Sequence, residues 1–215
     1  MKLKRIQRHL QRIYEVDVPH NVEDFVVTDR ALLKALGDQT RQADEKLVVI
    51  QNGEEVELAL YLDPELMERL REDDPTRRLH DGNIADFCTA LEGVSHFLYL
   101  TWNAGYERGV SLLELEVQAE VDKYVSTAML FGTQDGGKVP QQLYAWLFDD
   151  PVFDESLDGE SLKRYRDANY YAGRYCSQIE TRYFRQRRPG NLMNELRRFY
   201  RLSHHHKIKR IESAA

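Results

Sequence analysis

The chain has 215 residues, with 30 Lys and Arg against 36 Asp and Glu, a formal net charge of −6 and 42% hydrophobic residues. With 12 Tyr, 8 Phe and 2 Trp it supports a packed core, which excludes wholesale disorder. Two Cys and no C-x-x-C motif exclude a disulfide scaffold and point to a reducing, cytoplasmic location, while Met1-Lys2-Leu3-Lys4-Arg5 lacks the apolar stretch of a signal peptide and no membrane insertion is expected.

Residues 2–14 read as a basic amphipathic helix, with Leu3, Ile6, Leu10 and Ile13 on one face. Pro19 ends it, and Thr28 is placed to cap a short helix from Asp29 to Leu36, closed by Gly37. The runs Leu47 to Ile50 and Val56 to Leu62 flank Asn52-Gly53, the strongest short-range signal for a β-hairpin. In the second strand Val56, Leu58, Leu60 and Leu62 share a face that another layer must cover, because a lone hairpin is marginal. Asp63-Pro64 opens a helix to about Arg71. The charged run Glu72 to Gly82 is the candidate boundary between a small α/β portion, residues 1–75, and a helical body, residues 83–215; one continuous domain is the other arrangement.

Asn83 is placed to cap a helix over about 84–102, and Ser111-x-x-Glu114 is a capping box that opens the next, through about Phe131. Pro140 starts a short helix to about Phe148. Leu162, Tyr165, Asn169, Ala172, Cys176, Ile179 and Tyr183 recur in alternating steps of three and four, the seam of tight helix packing. Arg187-Arg188-Pro189-Gly190 breaks that helix, and a last basic one carries Leu192, Leu196 and Phe199 into Ser203 to Arg210. The expected fold class is α+β, predominantly helical, with one β-hairpin near 47–62 packed on a multi-helix body.

No P-loop, G-x-G-x-x-G, H-E-x-x-H or G-x-S-x-G motif is present. The sharpest constellation is Glu92 with His96 on one helix and Glu116 with Glu120 on the next, each pair at i, i+4 on a single face. If the turn between the helices centres near Tyr106, His96 and Glu116 each lie about 15 Å from it at 1.5 Å rise per residue. In an antiparallel hairpin they are then level, and an imidazole with carboxylates suits Fe, Mn or Zn. The di-iron bundles use Glu-x-x-His twice, whereas Glu-x-x-x-His occurs here once, and a polar network in which Lys123 pairs with Glu120 is the alternative. Cys88 and Cys176 fall on apolar stripes and read as core, and His204 to His206 as a solvated helix end.

Charge is uneven. Residues 1–13 hold five basic residues and no acid, residues 182–210 hold ten basic residues against Glu195, and residues 14–181 hold 15 basic and 34 acidic residues. Arg and Tyr interleave between Tyr165 and Arg201, the residue types of interface hot spots. The leading expectation is a non-catalytic cytoplasmic protein-interaction or assembly module. Its candidate partner-binding residues are Tyr170, Tyr171, Arg174, Arg182, Arg185, Arg197, Arg198 and Arg201, facing another protein or a second copy, with no cofactor. Two alternatives stand beside it: nucleic-acid binding through the same basic helices, and a metal-dependent enzyme using Glu92, His96, Glu116 and Glu120.

Overall fold

In the computed structural model, residues 1–35, 44–53, 55–149, 151, 153, 157–184 and 189–213 are described. The first helix, α1 (Leu3–Tyr14), forms where the apolar spacing places it, and Leu3, Ile6, Leu10, Ile13 and Tyr14 are its buried face. It stops at Glu15, which takes the left-handed conformation with φ 49°. A short 3₁₀ turn, capped by Asn21, leads into strand β1 (Val26–Val27). Helix α2 (Arg30–Ala35) begins at Asp29, whose carboxylate accepts the Ala31 N–H at 2.8 Å, so the capping group lies one residue beyond Thr28. Its expected end at Leu36 and Gly37 falls outside the described residues.

Strands β2 (Glu45–Asn52) and β3 (Glu55–Leu62) form the expected antiparallel hairpin. Asn52 pairs with Glu55, so the turn starts at Gly53, with φ 66°, one residue later than the Asn-Gly signal suggests. The strand order is β1-β3-β2, with Val26 parallel to Leu60. A two-residue strand has no periodicity, which is why β1 was not legible beforehand. Leu60 and Leu62 are fully buried, while Val56 near the turn is exposed.

Helix α3 (Pro64–Glu72) is capped as expected by Asp63, which accepts the Glu65 N–H at 2.9 Å. Helices α4 (Ile84–Ala104) and α5 (Leu112–Gln134) form an antiparallel pair. Ser111 Oγ accepts the Glu114 N–H at 3.2 Å, but the Glu114 carboxylate does not return the bond. It is buried, accepting from Tyr99 Oη at 2.5 Å and from the Arg108 guanidinium instead. After α6 (Leu143–Phe148), α7 (Gly159–Ile179) packs along α5 with Ala172, Cys176 and Ile179 buried. The single C-terminal helix expected from the sequence is two, α8 (Leu192–Tyr200) and α9 (His204–Glu212), because Ser203 takes an extended conformation between them.

The result is α+β and predominantly helical, as the periodicities indicate. One buried apolar cluster takes in Leu10, Leu62, Phe97, Tyr124, Leu196 and Ile211, so elements from the whole length of the chain contribute to it. Each fully buried Leu or Phe contributes about 1.5–3 kcal/mol. Among the described residues, no helix is long and apolar enough to cross a membrane.

Candidate metal centre

Two turns of α4 and two of α5 carry the polar cluster, and β2 completes it. His96 Nε2 lies 3.3 Å from Glu116 Oε2, so the level pairing calculated from helical rise is realised. The other expected pair is bridged: Lys123 Nζ donates to Glu92 Oε2 at 3.0 Å and to Glu120 Oε1 at 2.7 Å. The residue that sequence reasoning missed is Glu45, the first of β2, whose Oε1 lies 3.7 Å from His96 Nδ1. It reaches α4 because Gly93 has no side chain; a Cβ there would meet Glu45 Cγ at 2.8 Å and Leu60 Cδ1 at 2.7 Å. From α7, Arg164 Nε stands 3.7 Å from Glu116 Oε1.

Burial sets the electrostatics. His96 and Glu116 are buried, and Glu45, Glu92, Glu120 and Lys123 are largely shielded. Burial disfavours the charged imidazole, but Glu116 and Glu45 together outweigh it and raise the His96 pKa well above its ordinary value. Burial raises the carboxyls of Glu45 and Glu120. Burial acts the same way on Glu92, yet Lys123 and His96 reverse it and hold that carboxyl low. Cys88, beside Glu92 in the same pocket, has its thiol pushed up to about 11 by burial, which makes it a poor thiolate ligand.

Among the described residues, three buried polar atoms of the cluster, Glu45 Oε1, His96 Nε2 and Arg164 Nε, face a charged partner at 3.3–3.7 Å without making a hydrogen bond to it. The two nitrogens both face Glu116, which leaves the Glu45 oxygen as the atom that calls for a further partner. Ligand atoms of Glu45, Glu92 and His96 all lie within 4.8 Å of one another. Tetrahedral ligands of one ion at about 2.0–2.2 Å stand about 3.3–3.6 Å apart, so closure needs the most distant pair to approach by about 1.2–1.5 Å. Four carboxylates, Glu45, Glu92, Glu116 and Glu120, face two permanent cations, Lys123 and Arg164. A divalent ion with neutral His96 would balance that charge. Of the four residues expected from sequence, Glu92 and His96 stand in the ligand group, Glu116 stands behind the imidazole, and Glu120 is tied to Lys123.

The candidate partner-binding residues lie in two settings. Tyr170 is 55% exposed and meets the Tyr171 ring edge-on at 5.4 Å, with Arg174 donating to Tyr170 Oη at 2.8 Å. Arg182 and Arg198 are exposed. Arg197 Nε instead donates to Ile13 O at 3.1 Å and its guanidinium pairs with Glu15 at 2.7 Å. Arg201 donates to Glu15 O at 3.0 Å and lies over the Trp102 ring. Both therefore close the C-terminal end of α1. Arg185 lies outside the described residues. Of the triple histidine, His204 Nδ1 is 3.2 Å from Ser111 Oγ, while His205 and His206 are exposed.

A second polar knot lies deeper. Asp122 accepts from Tyr14 Oη, from Ser95 Oγ at 2.6 Å and from Gln118 Nε2 at 2.8 Å. Lys207, which follows the histidines read as a solvated helix end, is fully buried. It donates to Gln118 Oε1 at 2.5 Å and lies 4.4 Å from the Tyr99 ring centre. Burial pulls its amine down to about 7 and pushes the Asp122 carboxyl up to about 6. Comparison of the chain with protein families, with curated proteins and with solved structures gives no match.

Proposed function

We propose that the protein binds a divalent transition-metal ion, Mn²⁺, Fe²⁺ or Zn²⁺, through Glu45, Glu92 and the Nδ1 atom of His96, and that this ion is the centre of a metal-dependent activity. The observation that carries the reading is the convergence of these ligands, from β2 and α4, with the buried Glu45 Oε1 making no hydrogen bond among the described residues. Nδ1 is the ligating nitrogen because it faces Glu45, while Nε2 faces Glu116. A histidine that ligates through one nitrogen and donates from the other to a carboxylate is the usual oriented arrangement, and Glu116 supplies that carboxylate. Two carboxylates and one imidazole leave coordination positions open, so a bound ion would act as a Lewis acid or lower the pKa of bound water.

The test is metal uptake by untagged protein in a background with His204→Ala, His205→Ala and His206→Ala, which removes the tail imidazoles. Equilibrium dialysis against Mn²⁺, Fe²⁺ and Zn²⁺ should give one ion per chain, lost in His96→Ala. Uptake unchanged by His96→Ala would refute the site.

A second reading, the interaction module, is supported by the exposed Tyr170 on α7, whose ring is flanked by the half-buried Tyr171 and Arg174. Aromatic and Arg anchors of this kind bind another protein or a second copy. Sedimentation of the wild type against Tyr170→Ala/Arg174→Ala tests it: the variant should lose any self-association that the wild type shows.

A further inference from the structure

Over the Glu45 and Glu92 carboxylates opens a pocket of about 540 Å³, in the size range of sites for small organic ligands. Its lining is of two kinds. β2, α4 and α5 contribute Glu45, Glu92, Glu120 and Lys123; α6, α7 and the segment before α7 contribute Trp146, Leu147, Leu157 and Tyr165. Trp146 is 41% exposed, a large indole left partly uncovered beside the charged wall.

We propose that this pocket takes a small molecule in which an oxyanion head is joined to an apolar ring, the head meeting the metal ion and the ring lying against Trp146, Leu147 and Leu157. The inference rests on the metal-binding reading and adds the ligand class. Without an ion the four carboxylates outnumber the three cations, Lys123, Arg164 and the protonated imidazole of His96, and the cluster repels an anion. A divalent ion removes the surplus negative charge and offers open positions to oxygen donors, so entry of the head depends on the ion. A purely polar ligand would leave the Trp146 and Leu147 wall facing water, whereas a ring covers it. The position of Lys123, held by Glu92 and Glu120, keeps its ammonium at the same wall as the head.

Hydroxamates test this, since they ligate metal ions through two oxygens and can be bought with or without a ring. The full chain is first titrated with Zn²⁺; the apo and Zn²⁺-loaded forms are then titrated with acetohydroxamate and benzohydroxamate by calorimetry. Loaded protein should bind benzohydroxamate about tenfold or more tightly than acetohydroxamate, a ratio within reach of an apolar pocket. Apo protein should bind neither. In Trp146→Ala the preference should fall while Zn²⁺ and acetohydroxamate affinities hold. Equal affinities of the two probes for loaded protein would overturn the ligand class and leave the metal reading standing. Equally tight benzohydroxamate binding to apo protein would overturn the ion dependence. Failure to take up any of Zn²⁺, Mn²⁺ and Fe²⁺ would overturn the metal reading and this inference with it.

Discussion

The Cγ atom of Glu45 stands 2.8 Å from the point that a methyl group on Gly93 would occupy. Strand and helix approach closely here, and the only carboxylate that β2 contributes to the cluster passes through the gap. Gly93→Ala should therefore displace Glu45 or Leu60, lowering stability by about 1–3 kcal/mol as overpacking does. It should also weaken Zn²⁺ binding. Thermal melts and Zn²⁺ titration check the two effects separately. Normal metal affinity would mean that Leu60 gives way instead, and Glu45→Ala with undiminished Zn²⁺ affinity would show that Glu45 is not a ligand.

Glu116 touches the imidazole from the side away from Glu45. Glu116→Gln should reduce metal affinity about 10- to 100-fold, the usual effect of removing a carboxylate that orients a ligating histidine. Glu120→Gln should leave affinity close to that of the wild type, since Glu120 engages Lys123. Competition against a fluorescent Zn²⁺ chelator distinguishes these outcomes.

Lys207 makes stability depend on pH in a defined direction. Its folded-state pKa of about 7 lies below the free amine value of 10.5, so between these values the unfolded chain binds the extra proton. The contribution of Lys207 therefore rises with pH across that window. Asp122 acts at lower pH: with its folded pKa raised to about 6 from 3.8, the folded chain holds the extra proton, and stability falls as pH climbs from 3.8 to 6. The stability difference between wild type and Lys207→Met should shift toward the wild type by about 1–3 kcal/mol between pH 7 and 9.5. Urea unfolding at several pH values measures it, and a constant difference would mean that the amine stays charged throughout.

Arg197 and Arg201 bind the end of α1 through Ile13 O, Glu15 O and the Glu15 carboxylate. Replacing both with Ala should destabilise the fold by about 1–2 kcal/mol, each removing charge-assisted hydrogen bonds to carbonyls. Tyr170→Ala, at an exposed position, should stay within about 0.5 kcal/mol of wild type. Chemical denaturation of both variants checks the contrast.

Helix positions and the hairpin were legible because they follow from local spacing: Leu3, Ile6, Leu10 and Ile13 define one face, and Asn52-Gly53 marks the turn to within a residue. The His96 and Glu116 meeting was legible too, since helical rise from a known turn fixes which residues are level. Glu45 was not, because nothing local tells which strand end docks beside Gly93; that is set by tertiary packing. Lys207 misled for the same reason. A lysine among His204, His205, His206, Lys209 and Arg210 reads as solvated, and only the break at Ser203 turns it inward. The Arg-rich third likewise reads as one surface, although Arg197 and Arg201 end on backbone carbonyls of α1.

The proposed ligands belong to two layers of the molecule, Glu45 to the small sheet and Glu92 and His96 to the helical body. An ion gripping both would act as a clasp whose binding free energy opposes their separation, about 2.7 kcal/mol at a hundred times its dissociation constant. Deuterium uptake at the β2 and β3 amides would then slow on loading, so the hairpin's dynamics would report the occupancy of a centre that none of its exposed residues touch.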